Sequence, residues 1–320
     1  MAWLKGLAAT AAVAAAAAGV MFYHLFNLPN ERGTEVQLLI EKGAGSRRVA
    51  EQLAEAGVIS HPLLFRLAAR VSGLDKDLKA GEYVFLPGIS MREVLAIISR
   101  GEVHYRRLTL PEGLTTARML ELIRAEPNLA GEITIAAEEG ELLPETYSYV
   151  KGDSRDSIVR RARLAMEKTL EEAWRQNRRK VLKNRRQLLT LASIIEKETG
   201  VPEERADVAA VFINRLETGM KLQTDPTVIY ALTKGKKDLS RPLYRKDLSV
   251  ESPYNTYKYY GLPPGPICNP GREAIFAAVH PSDADYLYFV ASGTGGHRFA
   301  RSLKEHNRNV SLYKKAMKKK

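Results

Sequence analysis

The segment 188–199, LLTLASIIEKET, holds the side chains best suited to chemistry. At 100° per residue, Leu188, Leu191, Ala192, Ile195 and Thr199 line one face of a helix. Glu196 and Glu198 fall on opposite shoulders of that stripe, and Lys197 points away from it. A carboxyl at such a boundary is partly desolvated, which raises its pKa and suits it to protonate a leaving group near neutral pH. The spacing does not choose between the two glutamates, and the plain structural alternative is a pair of solvated acids near a helix end.

Other chemistries find less support. His24, His61, His104, His280, His297 and His306 form no close pair on a helix, and Cys268 is the single cysteine, so neither a metal site nor an intrachain disulfide is expected. The glycine-rich SGTGGH at 292–297 lacks the lysine and the strand–helix context of a phosphate-binding loop. No serine elbow is present. Carboxylate chemistry without a cofactor remains.

Three downstream stretches add to it: LQTDPTVIYAL (222–232), ESPYNTYKYYGLPPGPICNPG (251–271) and YLYFVASGTGGHRF (286–299). Proline, tyrosine, asparagine and threonine at this density make rigid loops with amides, hydroxyls and aromatic faces, the mixture a sugar-chain groove requires. The alternative for such tyrosines is packing, with the hydroxyl hydrogen-bonded.

The elements that must carry these residues come from a chain of 320 residues, 45% hydrophobic and 27% charged, with a formal net charge of +12. That length serves one large domain or two modest ones. The charge is concentrated in Lys314–Lys320 and in the block Arg175–Arg186, which favour polyanions or anionic surfaces. From Gly6 to Asn30 there is no Asp, Glu, Lys or Arg, and a helix over 7–26 would rise roughly 30 Å, a bilayer core. Small residues at 14–19 also suit a cleaved signal peptide, but the aromatic run after them fits a continuing single-pass anchor better. Either way the bulk of the chain is exported, which points away from nucleic acid as a partner.

The pattern predicts an α+β protein in three parts: anchor and linker at 1–32, a small module at 33–106, and a catalytic domain at 107–320. The module reads as a strand at 36–40, helices at 47–56 and 62–72, a strand at 83–86 and a helix at 91–99. That order resembles a LysM-like fold, one associated with glycan binding. In the second helix Leu63, Leu64, Leu67 and Val71 are expected to face inward. Beyond 107 the pattern predicts a strand at 108–110, a helix at 115–123, a loop at 139–149 and one long helical stretch over 154–189.

ASIIEKET (192–199), QTDPTVIYAL (223–232), SPYNTY (252–257), GLPPGPICNPG (261–271) and the YLYF…GGHRF ending resemble, in order and nearly end to end, the endolytic murein transglycosylases of bacterial inner membranes. The resemblance implies that the first glutamate of ASIIEKET, Glu196, is the catalytic acid/base. It also implies that Gln223, Thr224, Asp225, Tyr254, Asn255, Thr256 and Tyr257 orient the sugars. A periplasmic, single-pass protein follows, one that works beside peptidoglycan synthases and cuts nascent peptidoglycan strands to 1,6-anhydro ends, stopping their elongation. Two positions depart from the family pattern: Pro144-Glu145-Thr146-Tyr147 has glutamate where aspartate is usual, and so does Glu251 before SPYNTY. The competing readings are a glycan hydrolase with Asp225 as second carboxylate, and a non-catalytic peptidoglycan-binding scaffold.

Overall fold

The structure is a computed structural model that describes residues 2–30, 34–178, 180–237 and 239–318. The chain divides into two compact units, Met1–Arg106 with Ser148–Gly152, and Arg107–Tyr147 with Asp153–Lys320. Mixed helix and strand make it an α+β protein.

The first unit opens with α1 (Ala2–Asn27). Its stretch Ala9–Asn27 is long and apolar enough to cross a membrane. The linker expected near 27–34 falls partly on residues 31–33, outside the described residues. Next come β1 (Val36–Ile40), α2 (Ser46–Glu55), α3 (Pro62–Val71), β2 (Gly81–Phe85) and α4 (Met91–Arg100). β1 and β2 pair antiparallel, with Val36 opposite Phe85 and Ile40 opposite Gly81. Their inner residues meet Val49, Leu53, Phe65, Val94 and Ile98 in one core, and Phe22 and Phe26 of α1 pack against it. Ser90 caps α4 in a reciprocal box with Glu93, its hydroxyl accepting from the Glu93 N–H while the Glu93 carboxylate accepts from the Ser90 N–H. At α2 the N-cap position is held by Gly45, and Ser46 is the first helical residue.

The face of α3 is a second correction. Leu63, Leu67 and Val71 are exposed, Leu64 is half-buried, and Phe65, Ala68 and Ala69 turn inward. PLLFRLAARV carries two apolar stripes, and the one with alanines wins because small side chains let α3 approach α2 closely.

The chain continues with β3 (Arg106–Thr109), α5 (Thr116–Ala125) and β4 (Thr146–Tyr149), and the second unit then holds α6 (Arg155–Gln176), α7 (Arg185–Glu198), α8 (Arg205–Glu217), α9 (Asp225–Thr233), α10 (Arg272–Val279), the hairpin β5 (Tyr288–Ala291) and β6 (His297–Ala300), and α11 (Leu303–Met317). β3 pairs with β4, so the end of the expected 139–149 loop is strand. The helix expected across 154–189 is two helices. α6 stops at Asn177, and α7 restarts at Asn184, whose side chain accepts the Gln187 N–H at 2.9 Å. The break lies inside the basic block, where consecutive cations disfavour a continuous helix.

The glycine-rich 292–297 segment is the β5–β6 turn, closed by the Ser292 N–H on Gly296 O at 2.9 Å. The core of this unit is built on α7, against which α6, α8 and α10 pack.

Candidate active site

Every side chain of α7 from Leu188 to Ile195 is buried, so it is a central helix rather than a half-exposed amphipathic one. Both glutamates sit in its last turn, where the negative end of the helix dipole disfavours a carboxylate. Lys197, between them, is exposed as expected.

The stretch Gly261–Gly271 runs beside α7 as a strap. Arg186 Nε donates to Pro264 O at 3.3 Å, the Ile267 N–H donates to Ser193 Oγ at 3.1 Å, and the Gly271 N–H donates to Glu196 Oε2 at 2.9 Å. Buried Asn269 bolts the strap to the 113–116 turn and to the 138–143 loop: its Nδ2 donates to Leu114 O at 3.0 Å and its Oδ1 accepts the Leu142 N–H at 2.9 Å. Gly271 is also the residue that caps the N-terminus of α10. The Glu196 carboxyl therefore lies where the end of α7 meets the start of α10.

Those two ends act on it in opposite senses. Burial pushes its pKa up, the Gly271 N–H opposes this, and the neighbouring Glu112 charge adds to the rise. Arg205 lies close to both acids, 3.7 Å from Glu112. Glu196 Oε1 has no hydrogen-bond partner among the described residues. A side chain of this kind can be protonated at rest and still be stabilised once it has given up the proton.

Glu198 has different company. It is the more deeply enclosed of the two, burial raises its pKa, and the Thr224 hydroxyl donates to its Oε1. Thr224 is pinned in turn by its N–H on Thr256 Oγ1 at 3.1 Å, and Thr227 and Thr256 share a hydroxyl contact at 2.8 Å. Gln223, just before, holds a left-handed backbone with φ 49°, a strained state that this knot of threonines sustains.

The residues expected to orient sugars thus separate into two groups. Thr224, Asn255 and Thr256 are buried, and Asn255 uses its amide on Leu248 O and Val250 O at 2.9 Å each. These three hold loops in place. Gln223 and Asp225 are exposed, Tyr254 and Tyr257 are half-buried, and the Tyr257 hydroxyl donates to Asp225 Oδ1 at 2.6 Å.

Tyr254 stacks at a tilt on Tyr230, ring centres 4.8 Å apart. The Tyr230 hydroxyl reaches Glu139 Oε2 at 3.3 Å, and the Thr116 N–H donates to Glu139 Oε1 at 2.7 Å. Glu139 is a third carboxyl whose pKa burial raises, and the buried Cys268 thiol feels both it and Glu196. Sequence reasoning missed Glu139, Glu112 and Arg205. Glu139 lay in a segment read as plain loop, and nothing local marks the other two. Glu251, one of the two departures, pairs with Lys258 and accepts the Tyr259 hydroxyl at 3.2 Å.

With this geometry in view, residues 38–312 match the model of the YceG-like family. The chain belongs to the YceG-like family. It is 32% identical to the endolytic murein transglycosylase of Bacillus subtilis, over 88% of this chain and 85% of that one. It is 30% identical to the endolytic murein transglycosylase of Streptococcus pneumoniae, over 85% of this chain, and spans 57% of the length of that relative. The crystal structure of a YceG-like protein from Listeria monocytogenes matches with a TM-score of 0.54 and 30% identity, covering 86% of this chain and 98% of the other. Four of the five motifs are joined by hydrogen bonds at the last turn of α7: Glu198 to Thr224, Thr224 to Thr256, and Glu196 to Gly271 of the strap.

Proposed function

We propose that this protein is an endolytic peptidoglycan lytic transglycosylase with Glu196 as its acid/base. The observation that carries the reading is the state of Glu196: desolvated, with one oxygen held by the Gly271 N–H and the other unengaged. The names of the bacillary and streptococcal relatives supply the substrate class.

In this reading the protonated carboxyl gives its proton to the glycosidic oxygen between N-acetylmuramic acid and N-acetylglucosamine, and the bond to the anomeric carbon breaks. The carboxylate left behind is stabilised by the Gly271 N–H at the start of α10. It then takes the proton of the muramic acid C6 hydroxyl as that oxygen bonds to the anomeric carbon, closing a 1,6-anhydro ring. The nucleophile belongs to the substrate, so no water is positioned and the ring closure gains from proximity. Gln223, Asp225, Tyr254 and Tyr257 face the sugars.

The apolar helix α1 is a single-pass anchor in the bacterial inner membrane, with the chain that follows it on the outer side beside the peptidoglycan synthases. The β1–α2–α3–β2 unit is a LysM-like glycan-binding module.

The deciding measurement is mass spectrometry of the products from purified glycan strands digested in ¹⁸O-labelled water. Internal attack predicts a muramic end one water lighter than a hydrolytic end and free of label. Label at the anomeric position in most of the product would overturn the reading and make Asp225 the first second carboxylate to test.

A further inference from the structure

Part of the basic block is left unused by the candidate acid. Arg185 and Arg186 open α7, and with Arg163 of α6 they rim a cavity of about 310 Å³. Glu138, Glu139, Glu141 and Glu167 share the wall with them, over an apolar floor that includes Leu170 and Pro266. Glu139 is taken up by Thr116 and Tyr230, but most of the other charges are not consumed inside the protein. Arg185 and Glu167 make no side-chain ion pair among the described residues. Arg186 reaches Glu138 only at 3.5 Å, with both side chains exposed, a pairing of little strength. Arg163 places one N–H on Ala136 O at 3.4 Å and leaves the rest of its fork open.

The cavity is in line with the candidate acid. Arg186, Leu189, Ser193 and Glu196 follow one another on one face of α7, and the strap runs along that face from end to end. Ten residues of helix separate Arg186 from Glu196, a rise of about 15 Å. Glu139 lines the cavity and also holds the Tyr230 hydroxyl beside Tyr254.

We propose that this cavity is a subsite for the peptide stem that muramic acid carries in peptidoglycan. A stem of four or five residues reaches about 15 Å when extended. It presents carboxylates that suit the planar forks of Arg163 and Arg185, an ammonium that suits the glutamates, and alanine methyls that suit the floor. A plain polyanion would meet the glutamates, and an uncharged sugar would leave the guanidinium groups unpaired, so the mixed ring selects a zwitterion over either. The inference rests on the peptidoglycan reading, and the following experiment separates the two.

The full-length chain in detergent is titrated with the free pentapeptide L-Ala-γ-D-Glu-L-Lys-D-Ala-D-Ala, and its kcat/KM is measured on peptide-bearing strands and on strands stripped of peptide. Wild type and Glu196→Gln are expected to bind the pentapeptide alike, and the double variant Arg163→Glu/Arg185→Glu about tenfold or more weakly, the scale of one lost charge-assisted hydrogen bond. The wild-type preference for peptide-bearing strands should collapse toward one in that variant and partly in Arg163→Ala/Arg185→Ala. Absence of pentapeptide binding, or a preference unchanged in the charge-reversed variant, overturns the subsite. Pentapeptide binding that the double variant loses, in a protein that cuts neither kind of strand, supports the subsite and removes the transglycosylase reading instead.

Discussion

Two glutamates separated by one residue share a helix turn and a raised pKa, yet their surroundings suit them to different work. Glu196 keeps an unengaged oxygen, whereas Glu198 is tied to Thr224. Glu196→Gln preserves volume and removes the transferable proton, so it should lower the rate of strand cleavage by roughly 10²–10⁴-fold, read from the release of fragments. Glu198→Gln should keep most of the activity, and a reversed ranking would move the acid/base assignment to Glu198.

Glu198 also makes a prediction about stability. Its raised pKa means that the folded protein holds this proton more tightly than the unfolded chain. Linkage then makes stability fall as pH rises from the ordinary glutamate value of about 4.3 through the higher folded one. Glu198→Gln cannot ionise, so its melting temperature should decline less than that of wild type over that span. Parallel melting curves for the two proteins would show that Glu198 is not held protonated.

At the scale of elements, the candidate site is a junction of two helix ends. α7 delivers a carboxyl that its own dipole disfavours, and the Gly271 N–H opposes that effect from the start of α10. A Cβ at Gly271 would run into the Glu112 carboxylate, so the glycine leaves room for that side chain. Glu112 is thereby held close enough for its charge to help keep the Glu196 proton on. Glu112→Gln removes that charge with little change of shape, and the alkaline limb of the pH–activity profile should move to lower pH. An unmoved limb in a folded variant would mean that Glu112 does not act on the acid.

For the molecule as a whole, α1 is a helix long and apolar enough to cross a membrane. Its apolar stretch Ala9–Asn27 would span about 28 Å as a helix, close to a bilayer core, and its residues 9–21 are exposed rather than packed. Full-length protein in cells should therefore stay in the membrane pellet through high-salt washing. A soluble mature form with a new N-terminus near position 19 would identify a cleaved signal peptide instead.

Local patterns were enough for the α+β class, the strand at 36–40 and the helix at 91–99, because each depends on neighbours within a few residues. The ASIIEKET segment likewise announced a carboxyl at a boundary, and motif order pointed to the family. Three things depended on distant partners. Burial of every side of α7 from Leu188 to Ile195 arises from α6, α8, α10 and the strap closing around it, which periodicity within one helix cannot report. The choice of the alanine face of α3 depended on how closely α2 could approach. The division of the expected sugar-binding residues into buried ties (Thr224, Asn255, Thr256) and reachable groups (Gln223, Asp225, Tyr254, Tyr257) came from hydrogen bonds between segments some thirty residues apart, such as the Thr224 N–H on Thr256. Spacing along a chain records which residues share a face. Which face meets solvent, and which acid is left with a free oxygen, is decided only when the remaining elements pack against it.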